Sequence, residues 1–367
     1  MEHWMATRRG ALAVMGAAVA FPTAAATRTV RLIAGTYARE GGRGLYPVSF
    51  DAARDDWRVG APITGIVDAS FGVVGPGGSW LLLRERSAGA VSAYASGWTR
   101  RGTASTGGAD PCHAALDGAS GCLAVANYSS GDVAFHRLDP RTGGPGEPTL
   151  FRHAGAGPDR ERQAGPHAHW VGFSPDRRWL HAVDLGADAI FAYRFDPRTR
   201  TLSPPSAAWR APPGSGPRHA ARHPRLPRVY VVCELSNTLV MLDVAADGRF
   251  ATRRTLSTLP RGHAGPSQAA HIAIDRAGRR LYVSNRGHDS IAVFALDGEG
   301  MPVLIQHINC GGHWPRFFLL LERERRLVVA NQRSGDLAVF RIESDGRLAA
   351  TGRTLRTPGV AFLGETA

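Results

Sequence analysis

The sequence repeats one pattern about every fifty residues, and this period limits the possible folds more than any other feature. Each copy has a turn, an apolar run that ends in a polar residue, a short loop of small residues, and a second run in which apolar and polar residues alternate. Residues 281–294 are the clearest copy. The polar residue that ends the first run marks six copies: Glu85, Asn127, Asp184, Glu234, Asn285 and Asn331. A fainter copy marked by Thr36 makes seven.

The period and the alternation together predict a propeller. Repeats of 40 to 50 residues built from short alternating runs are typical of propeller blades, whereas helical repeats need apolar residues at helical spacing. The 44 glycines and 24 prolines also favour many tight turns. We therefore predict an all-β, seven-bladed β-propeller of four-stranded antiparallel blades, formed by a single domain over residues 27–367. Closure is expected to use strands from both termini, at 30–33 and 347–355.

The N-terminus is typical of a cleavable export signal. Arg8 and Arg9 precede a mild apolar run at 11–21, and small residues at 23–26 fit a cleavage site. The run is far shorter than the roughly 20 residues that a membrane span needs. We predict a twin-arginine-type signal peptide at 1–26, a periplasmic or extracellular location, and no stable membrane insertion after cleavage.

The composition excludes several function classes. The formal net charge is +13, and all 44 basic residues are arginines, so chemistry that needs a lysine is excluded. The arginines are scattered, without a basic arm or recognition helix, and no nucleic-acid partner is expected. The four cysteines form no CxxC pair and are expected to be buried free thiols. The oligomeric state has no clear signal, and a monomer is favoured.

In a propeller, the residues just before the first strand of a blade and just after its second strand reach the same face. Seven-fold closure brings these residues to one channel mouth, where His, Arg and Glu recur: His113, Asn127, His169, Arg218, His219, Glu234, His271, Asn285, Arg286 and Arg316. Arginines bind carboxylate or phosphate bidentately, and His or Glu moves protons near neutral pH. The pattern predicts an anion site with an acid/base group. At this point, a purely structural role for each polar residue stays open.

No cofactor or metal ion is expected at this mouth. His167 and His169 flank one residue, but no set of carboxylates resembles a calcium or zinc ligand group. A GxSxG nucleophile motif is also absent.

Several motifs resemble the propeller-type lactonase family, which includes bacterial 6-phosphogluconolactonases and fungal carboxymuconate lactonizing enzymes. The resemblance runs in order from about residue 30 to 350, through the segments 35–37, 108–113, 125–128, 216–219, 234–236, 284–290 and 314–316. It implies a metal-independent site for a lactone that carries anionic groups. By motif, the catalytic residues would be His169, Arg218, Glu234 and Arg286. Arg316 would complete the anion pocket, with His113, His219, His271, Asn127 and Asn285 as further substrate-binding residues.

The resulting hypothesis is an exported lactonase, a carboxylic ester hydrolase similar to 6-phosphogluconolactonase, acting on a small anionic lactone of sugar-acid type. Either His169 or Glu234 would activate water, and a position of Glu234 between two arginines would lower its pKa and favour His169. His271 stands where similar sequences often carry an acidic residue, which leaves the substrate open. The alternatives are a lactone-forming carboxymuconate cycloisomerase and a non-catalytic secreted propeller that binds a ligand.

Overall fold

The computed structural model describes residues 29–366, which form an almost entirely β structure. In this part of the chain the helical elements are two single-turn 3₁₀ helices, at Ala38–Glu40 and Pro76–Gly78. No helix among these residues is long and apolar enough to cross a membrane. The predicted signal peptide at 1–26 lies outside the described residues.

The strands form seven antiparallel sheets, which are the blades of the propeller. Blade 1 contains β1 (Thr29–Thr36), β2 (Tyr46–Asp51) and β3 (Asp56–Val59). Blade 2 contains β4 (Ala69–Val74), β5 (Trp80–Arg84), β6 (Ala90–Tyr94) and β7 (Arg100–Ser105). Blade 3 contains β8 (Pro111–Asp117), β9 (Cys122–Asn127), β10 (Asp132–Arg137) and β11 (Thr149–Arg152). Blade 4 contains β12 (Ala168–Phe173), β13 (Trp179–Asp184), β14 (Ala189–Asp196), β15 (Thr201–Leu202) and β16 (Ser206–Arg210). Here β15 and β16 pair with different parts of β14, and together they take the place of a single fourth strand.

The last three blades follow the same plan. Blade 5 contains β17 (Pro217–Arg222), β18 (Arg228–Cys233), β19 (Thr238–Val244) and β20 (Phe250–Ser257). Blade 6 contains β21 (Gln268–Ile274), β22 (Arg280–Arg286), β23 (Ser290–Leu296) and β24 (Pro302–Asn309). Blade 7 contains β25 (Pro315–Leu321), β26 (Arg326–Asn331), β27 (Asp336–Ile342) and β28 (Leu348–Arg356). The final strand, β29 (Val360–Thr366), pairs with β1 and becomes the innermost strand of blade 1. The predicted seven-bladed architecture is therefore confirmed.

The prediction for closure was wrong in its C-terminal partner. Residues 347–355 overlap β28, which is the outer strand of blade 7 and pairs with β27. The strand that pairs with β1 is β29, with Arg31 opposite Thr366 and Gly35 opposite Phe362. The C-terminal strand thus ties the last blade to the first through backbone hydrogen bonds.

Burial follows the position of a strand within its blade. The middle strand β23 is buried at six of its seven residues because both faces pack against other blades. The outer strand β20 is exposed at most positions and carries Arg253 and Arg254 toward solvent. Six apolar clusters connect the blades, such as the one in which Phe135 and Phe195 pack with ring centroids 6.1 Å apart.

Every innermost strand has a β-bulge near its start. It falls at the second residue in six blades and between Ala269 and Ile272 of β21 in blade 6. In β12, for example, Ala168 pairs with Asp184 and Trp170 pairs with Val183, so His169 is the extra residue. The same register shift occurs in the other blades and defines a bulge layer: Ser70, Cys112, His169, Arg218, Ala270, Arg316 and Ala361. A bulge re-aims a side chain that a regular strand would direct elsewhere.

The residue after each member of the bulge layer carries an aromatic ring, which defines an aromatic layer: Phe71, His113, Trp170, His219, His271, Phe317 and Phe362. Five of these rings form a closed circuit. The consecutive centroids lie 4.2, 5.3, 5.3, 4.0 and 6.1 Å apart in the order Phe71, His113, His219, His271, Phe317 and back to Phe71. These rings occupy the propeller axis.

Candidate active site

Glu234 is the centre of the candidate site, and three arginines bind its buried carboxylate. Arg218 Nε and Arg286 Nη2 approach Oε2 at 3.0 and 2.7 Å, and Arg162 Nη2 approaches Oε1 at 2.7 Å. Burial raises the pKa of Glu234, but Arg286, Arg218 and Arg162 outweigh it and hold this pKa well below its usual range. Glu234 is therefore a carboxylate at neutral pH.

The local structure explains how these groups meet. Arg218 is the bulge residue of β17, and Glu234 directly follows β18 of the same blade. Arg286 ends β22 in the next blade, and Arg162 comes from the long connection between β11 and β12. Arg218 also donates to the Ala270 carbonyl at 2.5 Å, which fixes its position between two blades.

The guanidinium groups outnumber the carboxylate that they share. Burial and the neighbouring Arg286 lower the pKa of Arg218 to about 9, and burial lowers the pKa of Arg286. Both arginines remain charged at neutral pH. Three positive charges around Glu234 leave the cluster with a net positive charge, which suits a substrate anion or a developing oxyanion.

A second carboxylate, Glu85, lies on the other side of the mouth. Tyr37 donates its hydroxyl to Glu85 Oε2 at 2.5 Å, and Arg316 Nη2 lies 3.7 Å from the same oxygen. Arg316 also lies over the Tyr37 ring, 5.5 Å from its centroid. Burial lowers the pKa of Arg316, but Tyr37 and Glu85 raise it further, so this arginine stays charged. Its long contact with Glu85 leaves the guanidinium available to a ligand.

Four histidines beneath the arginines are neutral. His169 and His219 have ring centroids 5.1 Å apart, and His219 Nδ1 lies 3.0 Å from His271 Nδ1. Burial, followed by the nearby Arg218, lowers the pKa of His113 to about 3 and the pKa values of the other three well below 6.5. Each neutral ring has one acceptor nitrogen. In His113 this is Nδ1, which accepts from the Val171 amide at 3.3 Å, and His219 Nε2 lies 3.3 Å from Arg218 Nη1.

His169 contacts a second polar residue of the bulge layer. Its Nδ1 lies 3.7 Å from the Cys112 thiol, and its ring meets Tyr128 edge-on at 5.3 Å. Burial raises the pKa of Cys112, so the thiol is neutral and serves as a weak partner of the imidazole. All four cysteines are free and buried.

The structure does not bring Asn127 and Asn285 to this cluster. Asn127 Nδ2 donates to the Thr106 carbonyl and to Asp132, and Asn285 Nδ2 donates to the Thr258 carbonyl. Both side chains are fully buried. They brace the loops between strands, so we leave them out of the proposed site.

A one-residue offset among the sequence markers explains this difference. Asn127 and Asn285 pair with the residue just before the bulge of their innermost strands, whereas Glu85 and Glu234 come one residue after the equivalent position. The later position faces the mouth in each blade and holds Tyr37, Glu85, Tyr128, Leu185, Glu234, Arg286 and Gln332. Successive residues of a strand point to opposite sides, so the offset separates loop braces from cleft residues.

Residues 31–363 match the family described as Lactonase, 7-bladed beta-propeller. The chain belongs to this lactonase family.

Three similar proteins carry names that bear on chemistry. The 6-phosphogluconolactonase of Bacillus subtilis (strain 168) is 35% identical over 254 residues, which cover 68% of this chain and 72% of the relative. The structure of the Pseudomonas aeruginosa periplasmic gluconolactonase is 28% identical, with a TM-score of 0.85, and covers 93% of this chain and 99% of that one. A putative 6-phosphogluconolactonase from Bacteroides fragilis is 25% identical, with a TM-score of 0.84, covering 92% of this chain and 98% of that one.

The sequence interpretation of this lactonase-family chain omitted three cleft residues. Arg162 lies in a connection without repeat pattern, and no sequence signal marks it. Tyr37 and Tyr128 each directly follow a repeat marker, so the one-residue offset would have found them. Within residues 29–366, no group of three or more His, Cys, Asp or Glu side chains has an arrangement that could hold a metal ion.

Proposed function

We propose that the protein is an exported, metal-independent lactone hydrolase for a small anionic lactone of sugar-acid type. The observation that carries this proposal is the shared binding of Glu234 Oε2 by Arg218 and Arg286 beside the neutral His169. Such a cluster supplies positive charge for an oxyanion and a base for water. Membership of the lactonase family supports the reaction class.

In the proposed reaction, His169 accepts a proton from water as the water oxygen attacks the lactone carbonyl carbon. The carbonyl oxygen becomes an oxyanion, which Arg218 and Arg286 stabilise. The ring carbon–oxygen bond then breaks, and protonated His169 returns its proton to the leaving alkoxide. The product is the open-chain hydroxy acid.

Glu234 is the positioning residue in this scheme. Its pKa is held low by three arginines, so it is a weak base, but it fixes two guanidinium groups at one oxygen atom. Its charge also favours the protonated state of His169 that forms during the reaction. These properties support His169 as the base rather than Glu234.

Export and substrate class rest on separate observations. The Arg8-Arg9 pair and the following apolar run support export, and one structural neighbour is named a periplasmic gluconolactonase. The excess of arginine over carboxylate in the cleft supports an anionic lactone. Arg316 is the group that we assign to the substrate anion, because its contact with Glu85 is long.

The test is a lactone-opening assay with residues 27–367. Phosphogluconolactone, gluconolactone and a carboxymuconolactone are compared with and without chelator, beside Glu234→Gln and the exposed control Glu147→Gln. We expect turnover of one lactone that survives chelator, is retained by Glu147→Gln and falls at least about 100-fold in Glu234→Gln. The variants are checked for native circular dichroism.

Other outcomes point to the alternatives. Conversion of a carboxymuconate to its lactone without hydrolysis of the sugar lactones would establish the lactone-forming reaction. Saturable, stoichiometric binding without turnover would establish a binding propeller. Loss of turnover with chelator would exclude the metal-independent mechanism.

A further inference from the structure

A second pocket lies at the opposite end of the innermost strands from the catalytic cleft. It has a volume of about 250 Å³ and apolar walls that include Trp179, Leu226, Pro227 and Val244. Arg222, the last residue of β17, is on its lining, whereas Arg218 near the start of the strand belongs to the cleft. Four residues of strand separate the two by about 13 Å.

Arg222 is a largely buried cation whose only side-chain hydrogen bond in the described chain is to a neutral group. Its Nη2 donates to His181 Nδ1 at 2.7 Å, and His181 Nε2 in turn donates to the Gly248 carbonyl at 2.9 Å. Within residues 29–366 no acidic side chain lies within 4.0 Å of its guanidinium. Two further donors of the pocket lining, Arg222 Nε and Trp179 Nε1, are buried and have no hydrogen-bond partner within the described residues.

This arrangement is costly without a ligand. A buried charge is stabilised when it is paired, and a buried donor without an acceptor costs free energy. Burial lowers the pKa of Arg222 to about 10, which still leaves it charged at neutral pH. The hydrogen-bond chain through His181 fixes the guanidinium in place, so it is preorganised for an anion.

We propose that this pocket binds a small monocarboxylate with an apolar body, with the carboxylate on Arg222 and the apolar part against Trp179 and Leu226. The volume is slightly below the roughly 300 to 1,000 Å³ of typical ligand pockets, which suits a small molecule. The mixture of apolar walls and one fixed cation is typical of such sites.

The remaining charged groups on the lining select against dianions. Arg228 is already paired with Asp243 at 3.0 Å, so it adds no free positive charge. Asp176 lines the pocket, where its carboxylate accepts hydrogen bonds from Ser174 and from the Arg178 amide. One free cation beside one carboxylate favours a single negative charge over a phosphate ester.

The test is a calorimetric titration of the mature chain with phenylacetate, phenylacetamide and phenyl phosphate. We expect phenylacetate to bind at least about tenfold more tightly than the other two, and Arg222→Gln to weaken it by at least about tenfold. Arg254→Gln, which removes an exposed arginine of β20, is the matched control. Ala246→Trp at the pocket rim should block binding without touching Arg222.

The catalytic cleft also attracts anions, so a cleft variant separates the two sites. Phenylacetate binding should persist in Arg286→Gln, and lactone opening should persist in Arg222→Gln. Equal binding by wild type and Arg222→Gln, equal binding of the amide, tighter binding of the phosphate, or loss of binding in Arg286→Gln would each overturn the proposal. A failure of the lactonase proposal would leave this titration interpretable, since it measures no turnover.

Discussion

Tyr37 donates its hydroxyl to Glu85 across 2.5 Å, and the two residues occupy the same position in neighbouring blades. Burial raises the pKa of Tyr37 well above 10, so the hydroxyl stays a donor at neutral pH. Arg316 Nη2 lies 3.7 Å from the same Glu85 oxygen, and we expect the Tyr37 bond to hold the carboxylate at that distance. In the proposed site, the first blade would then set how much of the Arg316 guanidinium a substrate can reach.

Tyr37→Phe should therefore raise KM with little change in kcat. Without the hydroxyl, Glu85 loses a hydrogen bond of about 1.5 to 3 kcal/mol and pairs more closely with Arg316. The measurement is steady-state lactone opening, with Tyr94→Phe as a buried tyrosine control outside the cleft. A fall in kcat at constant KM would instead assign Tyr37 to the chemical step.

The enzymatic rate should be independent of pH between about 5.5 and 8. His169 is neutral throughout this range because its pKa lies well below 6.5, and Glu234 is ionised because its pKa lies well below 4.5. Initial rates, corrected for spontaneous lactone opening, measure this. A bell-shaped profile with an apparent pKa near 6.5 would assign the base to another group.

Stability should fall as the pH drops below about 6.5. The cluster histidines are neutral when folded and bind protons when unfolded, so acid favours the unfolded chain. Well below pH 6.5, each contributes up to about 1.4 kcal/mol per pH unit until its folded pKa is reached. Urea unfolding at several pH values measures the slope, which should be smaller in His219→Gln than in wild type or Arg254→Gln. An unchanged slope would contradict the assignment.

Asn285→Ala should lower stability without altering KM. It removes hydrogen bonds to the Thr258 carbonyl at 2.9 Å and to Ser290 at 3.2 Å, which are worth about 1 to 3 kcal/mol when left unsatisfied. Asn331→Ala is the matched control, because Asn331 braces the equivalent loop of blade 7. A rise in KM in Asn285→Ala alone would return this residue to the substrate site.

The repeat made the architecture predictable because each blade contributes its own alternating strands. The closing partner was not predictable in the same way. Residues 347–355 and the segment of β29 both read as strands, and the pairing of β29 with β1 depends on contacts more than 300 residues apart. Sequence alternation carries no information about which of two strands makes that contact.

The cleft was predictable in its residue types and less so in its register. Arg218, Glu234 and Arg286 meet as expected because they occupy mouth positions in adjacent blades. Bulges near the start of each innermost strand decide which side chains face the axis. A bulge depends on backbone pairing and leaves no consistent residue pattern, and Arg162 enters from a connection outside the repeat.

The closed circuit of rings from Phe71 to Phe317 lies across the centre of the propeller, between the cleft and the opposite end of the innermost strands. In the proposed reaction, the lactone would enter and the hydroxy acid would leave on the same side, so departure of the product would compete with arrival of the next substrate. A molecule held at the far end beside Arg222 has no passage through the centre. The two ends of the protein are thus chemically separate compartments on one scaffold.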